Sequence, residues 1–124
     1  MGDLNCLSLS DYLCKRTLRK RKRQAIYEAF GHSCAYCGGR AESLDHIKPR
    51  MKGGTEDFSN LAASCLRCNG LKGHQDVWDF YTKQKFYCKK RAAFLQVWMN
   101  LEVFNGLLPL SYQELPLGYL LGET

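Results

Sequence analysis

The pattern of apolar and polar residues divides the chain into three parts, and the first part is helical. Apolar or partly apolar residues recur from Tyr12 to Phe30, and Gly31 then supplies a typical helix stop. Ser8 and Asp11 have the spacing of a capping box ahead of that run. The pattern therefore predicts a helix over residues 11–30, within the boundary tolerance of such assignments.

The second part predicts two short strands and a short helix. Residues 43–47 read as one strand, which Pro49 ends, and residues 59–64 read as another. Glycines and polar side chains over residues 51–57 predict the loop that joins them. Residues 69–72 are expected to begin a short helix or to lie within one.

The third part is a tail with little chemistry of its own. Residues 76–104 are rich in helix formers, with aromatic residues at helical spacing that would cover the core or form a homodimer face. Glycine and proline after residue 105 predict loops and turns. We expect one compact α+β domain, with an N-terminal basic helical arm (1–33), a core (34–75) and a C-terminal helical extension (76–124).

The charge balance adds a preference for polyanionic partners. The chain has 18 Lys+Arg against 12 Asp+Glu, a net charge of +6, and seven of the positive charges fall within residues 15–23. Such a cluster is either a solvated helix face or flexible arm, or a surface that binds phosphates by releasing counterions. No apolar run is long enough to span a bilayer and no signal peptide is recognisable, so we expect a cytoplasmic protein without a membrane partner.

The cysteines predict a structural metal site. Seven cysteines are an odd number for a disulfide framework, but four of them form two Cys-x-x-Cys pairs, Cys34/Cys37 and Cys65/Cys68. Four thiolates in this arrangement can surround one Zn²⁺ tetrahedrally and leave no position open for a substrate. A redox role for one pair would need a thioredoxin-like context, which the sequence lacks.

Between these pairs the chain contains an ordered series of motifs. They are Leu-Asp-His-Ile-x-Pro, Gly-Gly, Ser-Asn-Leu and Cys-x-x-Cys-Asn-x-x-Lys. This combination, over residues 34–72, resembles the HNH endonuclease family. The resemblance implies a small ββα-metal core stapled by a four-cysteine zinc site, with flanking N-terminal and C-terminal helices. It also implies metal-dependent hydrolysis of DNA phosphodiester bonds, one strand per active site, with 5′-phosphate and 3′-hydroxyl products.

The resemblance assigns a role to each motif residue. His46 is expected to be the general base that activates water, and Asn60 to brace the loop around it. Asp45 and Asn69 are expected to hold the catalytic divalent cation. Asn69 stands where many family members have histidine, and two oxygen ligands without imidazole favour Mg²⁺ or Mn²⁺ over zinc. His74 is not included, because it lies five residues after Asn69, off the spacing that aligns side chains on one helix face.

Beside a nuclease core, the basic cluster is expected to contact double-stranded DNA. The predicted contacts in the arm are Lys15, Arg16, Arg19, Lys20 and Arg23, and those in the core are Lys48, Arg50 and Lys72. For each of the three core residues a solvated surface charge is an equal alternative. The alternative function for the whole chain is a catalytically inactive, zinc-stabilised module that binds DNA or a protein.

Overall fold

The structure is a computed structural model that describes residues 9–101, with the side chains of residues 10–14 excluded. Helix α1 spans Leu9–Ala29, which confirms the first predicted helix. It ends at the predicted stop, where Gly31 has a φ of 64° and its N–H donates to the Glu28 carbonyl. The predicted cap at Ser8, the predicted helix end at residues 102–104 and the loops beyond residue 105 lie outside the described residues.

The two predicted strands form an antiparallel pair. Strand β1 is Ser43–His46 and strand β2 is Leu61–Ser64, with His46 opposite Leu61. The second strand is shorter than predicted, because Phe58–Asn60 forms a 3-10 turn in which the Asn60 N–H donates to the Asp57 carbonyl. The first strand ends one residue early, although the Ile47 N–H still donates to the Asn60 carbonyl.

Helix α2, Leu66–Lys72, follows β2 directly and contains the predicted helical residues. The Cys65 thiol caps it by accepting a hydrogen bond from the Cys68 N–H, so the second Cys-x-x-Cys pair is also the start of a helix. Gly73 ends the helix, with a φ of 53°. Helix α2 packs on β1, so residues 34–73 form a ββα unit. The predicted fold class, an α+β fold with a small ββα-metal core and flanking helices, is confirmed.

The C-terminal extension contains two helices within the described residues, in agreement with the predicted C-terminal helices. Helix α3 spans Val77–Tyr81 and helix α4 spans Lys89–Met99. Tertiary contacts reverse the chain between them: the Tyr81 hydroxyl donates to the Tyr36 carbonyl and accepts from the Cys88 N–H. Phe86, in the turn between the helices, packs against Phe80 and Tyr81.

Helix α4 covers one side of the core. Phe94 and Trp98 meet Phe30 at the end of α1 in edge-on contacts, with ring centroids 5.1 and 4.9 Å apart. The Trp98 indole also donates to the carbonyl of Leu61 in β2, at 2.9 Å. These contacts attach both flanking helices to the sheet. Within residues 9–101, no helix combines the length and apolar character that a membrane crossing requires.

Candidate functional site

The four predicted zinc ligands lie together. The Sγ atoms of Cys34, Cys37, Cys65 and Cys68 are all within 4.8 Å of one another, and those of Cys37 and Cys65 are 3.7 Å apart. Four sulfurs about 2.3 Å from one tetrahedral ion would be separated by roughly 3.8 Å. A disulfide would require about 2.05 Å. The cluster is therefore placed to hold a metal ion.

Backbone N–H groups surround these sulfurs. Tyr36 N–H donates to Cys34 Sγ, Gly39 N–H to Cys37 Sγ and Cys68 N–H to Cys65 Sγ, at 3.3–3.4 Å. The first turn needs a φ of 81° at Gly38, where a β-carbon would lie 2.5 Å from Arg91 Nη1. The positive φ therefore favours glycine there, and a larger residue would also displace the end of the Arg91 side chain.

The protonation of the thiols agrees with a cation site. Burial raises the pKa of Cys34 and that of Cys68. Burial acts in the same direction on Cys37, but hydrogen bonds from the Gly39 N–H and the neighbouring thiols outweigh it and lower the pKa. Buried thiols that resist ionisation become thiolates when a metal ion offsets their negative charge. The chemistry of the donor set therefore fits a bound metal.

A second site is a cavity of ≈ 200 Å³ beside the sheet. It is lined by Leu44, Asp45, His46, Pro49, Arg50, Asn69, Gly73 and His74. Three of the four predicted catalytic residues, Asp45, His46 and Asn69, therefore lie around one space. Asn60 is not part of the lining.

Asp45 is held by two polar neighbours. Its side chain is buried, and Oδ2 accepts a hydrogen bond from the Tyr36 hydroxyl at 2.7 Å and lies 3.3 Å from Lys72 Nζ. Burial raises the pKa of Asp45, while the Lys72 charge and the Tyr36 hydroxyl counteract that rise. Both of these contacts are made by Oδ2, and Oδ1 accepts no hydrogen bond from the described residues.

Lys72 does not lie where the sequence analysis expected it. Its side chain is fully buried, and its ammonium donates to the His46 carbonyl at 2.9 Å as well as pairing with Asp45. A phosphate on the surface cannot reach it in this arrangement. The structure therefore places Lys72 in a buried ion pair, and its contact with DNA stays a prediction.

His46 faces the loop between the strands. Its Nε2 lies 2.7 Å from Glu56 Oε2 and 3.3 Å from Arg50 Nε, and Arg50 Nε also donates to Glu56 Oε2 at 3.0 Å. The hydrogen bond with His46 lowers the pKa of Glu56. Nδ1 of His46 makes no hydrogen bond with the part of the chain described here.

The two asparagines have different surroundings. Asn60 makes three side-chain hydrogen bonds to loop backbone: it accepts from the Lys48 N–H and donates to the carbonyls of Lys48 and Thr55. Asn69 donates through Nδ2 to Ser43 Oγ and the Leu44 carbonyl, at 3.0 and 3.3 Å. This fixes the amide so that Nδ2 faces the sheet and Oδ1 is available as an oxygen ligand.

The basic residues of α1 are exposed and reach the same loop. Lys15, Arg16, Arg19, Lys20 and Arg23 all have exposed side chains, as do Lys48 and Arg50. Lys22, on the same helix, lies over the Phe58 ring at 5.1 Å from its centroid and donates to the Glu56 carbonyl. The basic helix therefore abuts the loop whose Glu56 contacts His46.

Comparison with known protein families gives a match to the central part of the chain. Residues 34–75 match the HNH endonuclease family. The matched segment covers both Cys-x-x-Cys pairs, both strands and α2, so the resemblance seen in the sequence is confirmed. Comparisons of the whole chain with curated proteins and with solved structures found no match. The HNH family supports a nuclease-type or nucleic-acid-binding function.

The sequence did not indicate two residues near His46: Glu56, which contacts it, and His74, which lines the same cavity. Glu56 lies two residues after Gly54 in a loop, where no periodic pattern indicates which side chain turns towards His46. His74 lines the cavity even though it is off the helical spacing from Asn69. That spacing does not apply, because α2 ends at Lys72 and Gly73 turns the chain before His74. Gly73, which ends α2, was the feature of the sequence from which the position of His74 could have been predicted.

Proposed function

We propose that the protein is a metal-dependent HNH endonuclease that hydrolyses phosphodiester bonds of double-stranded DNA. The observation that carries the proposal is the cavity in which His46, Asp45 and Asn69 meet, within a segment that matches the HNH family. His46 is the general base, since a neutral imidazole can take a proton from water near neutral pH. Its unengaged Nδ1 is the nitrogen that performs this step.

The donor atoms of the cavity support one hard cation. Asp45 Oδ1 and Asn69 Oδ1 are the two oxygens that would hold Mg²⁺ or Mn²⁺, with water completing the coordination. The chemistry that such an ion would supply is neutralisation of the negative charge that develops on the phosphate during hydrolysis. Lys72 already compensates the charge of Asp45, so this cation site is expected to be weak until a phosphate adds further oxygens.

The cysteine cluster is assigned to structural Zn²⁺. This assignment is supported by the distance of 3.7 Å between Cys37 Sγ and Cys65 Sγ, which is close to the distance between two sulfurs bound to one zinc ion. Metal analysis should find about one zinc per chain that resists mild chelation. A chain that purifies without zinc and is fully folded would contradict the assignment.

The basic helix supplies the DNA contacts. The exposed charges of Lys15, Arg16, Arg19, Lys20 and Arg23 lie on the helix that reaches the loop beside His46, so a duplex bound along α1 extends to the cavity. Arg50 adds exposed positive charge to the lining of the cavity, and the exposed Lys48 lies two residues after His46. This placement favours a nucleic-acid backbone over a small substrate.

The test is cleavage of supercoiled plasmid in the presence of Mg²⁺ or Mn²⁺. Wild type should produce nicked circles with 5′-phosphate and 3′-hydroxyl ends, and His46→Ala should be inactive. The matched control is His32→Asn, an exposed histidine in the turn after α1 with a φ of 60°, a conformation that asparagine tolerates. It should cleave like wild type. Equal cleavage by His46→Ala, or no cleavage by wild type with any divalent ion, would refute the proposal.

A second candidate function is a non-catalytic module that binds DNA. This candidate is favoured by the burial of Asp45 against Lys72, because the ammonium of Lys72 reduces the attraction of the Asp45 carboxylate for a cation. In the same experiment this candidate predicts a gel shift of the DNA without cleavage. The wild-type protein therefore separates the two functions before any variant is made.

A further inference from the structure

We propose that Glu56 is a positioning residue for the general base: its carboxylate holds the proton of His46 on Nε2 and thereby leaves the Nδ1 lone pair to accept a proton from water. The inference rests on the proposed nuclease function. Its basis is the 2.7 Å contact between His46 Nε2 and Glu56 Oε2. Carboxylates that orient a histidine in this way fix both the tautomer and the direction of the ring.

The contacts around Nε2 select one tautomer. A nitrogen of a neutral imidazole either donates or accepts, and Nε2 has both an acceptor, Glu56, and a donor, Arg50, nearby. The Glu56 contact is the shorter, at 2.7 Å against 3.3 Å, and Arg50 Nε has its own acceptor in Glu56 Oε2 at 3.0 Å. Both donors are satisfied when His46 and Arg50 each donate to Glu56. In that arrangement Nδ1 carries no proton.

The backbone that carries Glu56 is fixed, although its side chain is 58% exposed. Asn60 ties Lys48 to Thr55, the residue before Glu56, and Lys22 of α1 donates to the Glu56 carbonyl. Gly54 packs so closely that a β-carbon there would lie 1.7 Å from the Lys48 carbonyl oxygen. These contacts anchor the loop backbone on both sides of Glu56 and so favour the observed contact of its carboxylate with His46.

The simplest alternative is that Glu56 and His46 form an exposed ion pair without an effect on the reaction, because exposed ion pairs usually contribute little. A second alternative is that Glu56 repels the phosphate and restrains the enzyme. The three cases differ in the sign of the effect on kcat when the carboxylate is removed. A positioning residue slows the reaction when lost, a neutral pair has no effect, and a restraining residue accelerates it.

The experiment compares Glu56→Ala, Glu56→Gln and the control Asp57→Asn in plasmid nicking. Asp57 is the adjacent acid and bonds to Thr55, not to His46. Glu56→Ala should lower kcat by about 10- to 100-fold with little change in KM, the usual range for a lost orienting partner. Glu56→Gln should lose less, because its amide oxygen still accepts from Nε2. Asp57→Asn should retain wild-type kcat.

A direct readout of the tautomer does not depend on activity. ¹⁵N chemical shifts of the His46 ring in the intact chain distinguish a protonated Nε2 from a protonated Nδ1. Wild type should show the proton on Nε2, and Glu56→Ala should show a mixture. The inference is overturned if wild type cleaves DNA and Glu56→Ala matches or exceeds Asp57→Asn in kcat, or if wild type has its proton on Nδ1. Failure of wild type to cleave DNA refutes the proposed function itself, and the inference with it.

Discussion

Removal of the buried ammonium of Lys72 should destabilise the protein more than any surface change. Lys72 is fully buried, its Nζ lies 3.3 Å from Asp45 Oδ2, and it also satisfies the His46 carbonyl. Methionine fills most of the same volume but supplies neither charge nor hydrogen bond. Breaking a buried ion pair from one side costs about 3–5 kcal/mol, because the other charge is left without compensation. Lys72→Met should therefore lose about 3–5 kcal/mol of unfolding free energy.

The assay is urea unfolding at a fixed zinc concentration, followed by fluorescence of the tryptophans, of which Trp98 is buried. Asp45→Asn and the double variant complete a mutant cycle. The double variant removes both charges, so its loss should be smaller than the sum of the single losses by about 0.5–3 kcal/mol. Lys52→Met, at an exposed lysine, is the control and should stay within about 0.5 kcal/mol of wild type. A loss below about 1 kcal/mol for Lys72→Met, or additivity within about 0.5 kcal/mol, would refute the reasoning.

Three further predictions concern the frame and the arm. Gly38→Ala should lower the free energy of unfolding, measured in urea, by about 1–2 kcal/mol because of the positive φ at this position. The loss should be larger if the Arg91 side chain does not move away from the new β-carbon. Gly70→Ala should leave the free energy of unfolding unchanged or raise it by up to about 1 kcal/mol, because nothing lies within 4 Å of the new β-carbon. Equal effects of the alanine substitutions at Gly38 and Gly70 would contradict this account. Cys65→Ser should bind no metal in native mass spectrometry and should lose the circular dichroism spectrum of a folded protein. A variant that remains folded would rule out a structural role for the cysteine cluster. Arg19→Ala should weaken DNA binding and lower the salt dependence of log K by about 0.9, whereas an unchanged slope would remove Arg19 from the interface.

The elements of this fold were predictable from the sequence where their signals are local. The end of α1 at Gly31 and the ligand pairs Cys34/Cys37 and Cys65/Cys68 each depend on residues close in sequence, and all were found in the structure. The break between α3 and α4 was not predictable in this way. It depends on the Tyr81 hydroxyl, which reaches the Tyr36 carbonyl 45 residues earlier in the chain. No helix propensity of residues 82–88 encodes that contact.

The candidate site was predictable as a set of residues but not as a set of contacts. The motifs identified Asp45, His46 and Asn69, which line one cavity. They did not show that Lys72 turns inwards, because a lysine at the end of a short helix is usually solvated. Only the packing of α2 on β1 brings its ammonium to Asp45. Glu56 was missed for a similar reason, since the direction of a loop side chain depends on the bonds that Asn60 makes across the loop.

Tyr36 connects the cysteine cluster to the cavity. It lies between Cys34 and Cys37 and its N–H donates to the Cys34 sulfur, so the geometry of the first ligand pair fixes its backbone. Its hydroxyl donates to Asp45 Oδ2 at 2.7 Å, on the carboxylate that Lys72 also holds. A metal ion bound by the cysteine cluster would therefore be linked to Asp45 through Tyr36, although no thiol is among the residues that line the cavity. A side chain between the first two candidate metal ligands therefore also holds a carboxylate of the candidate active site, so a metal bound by the cysteines would affect more than the stability of the chain.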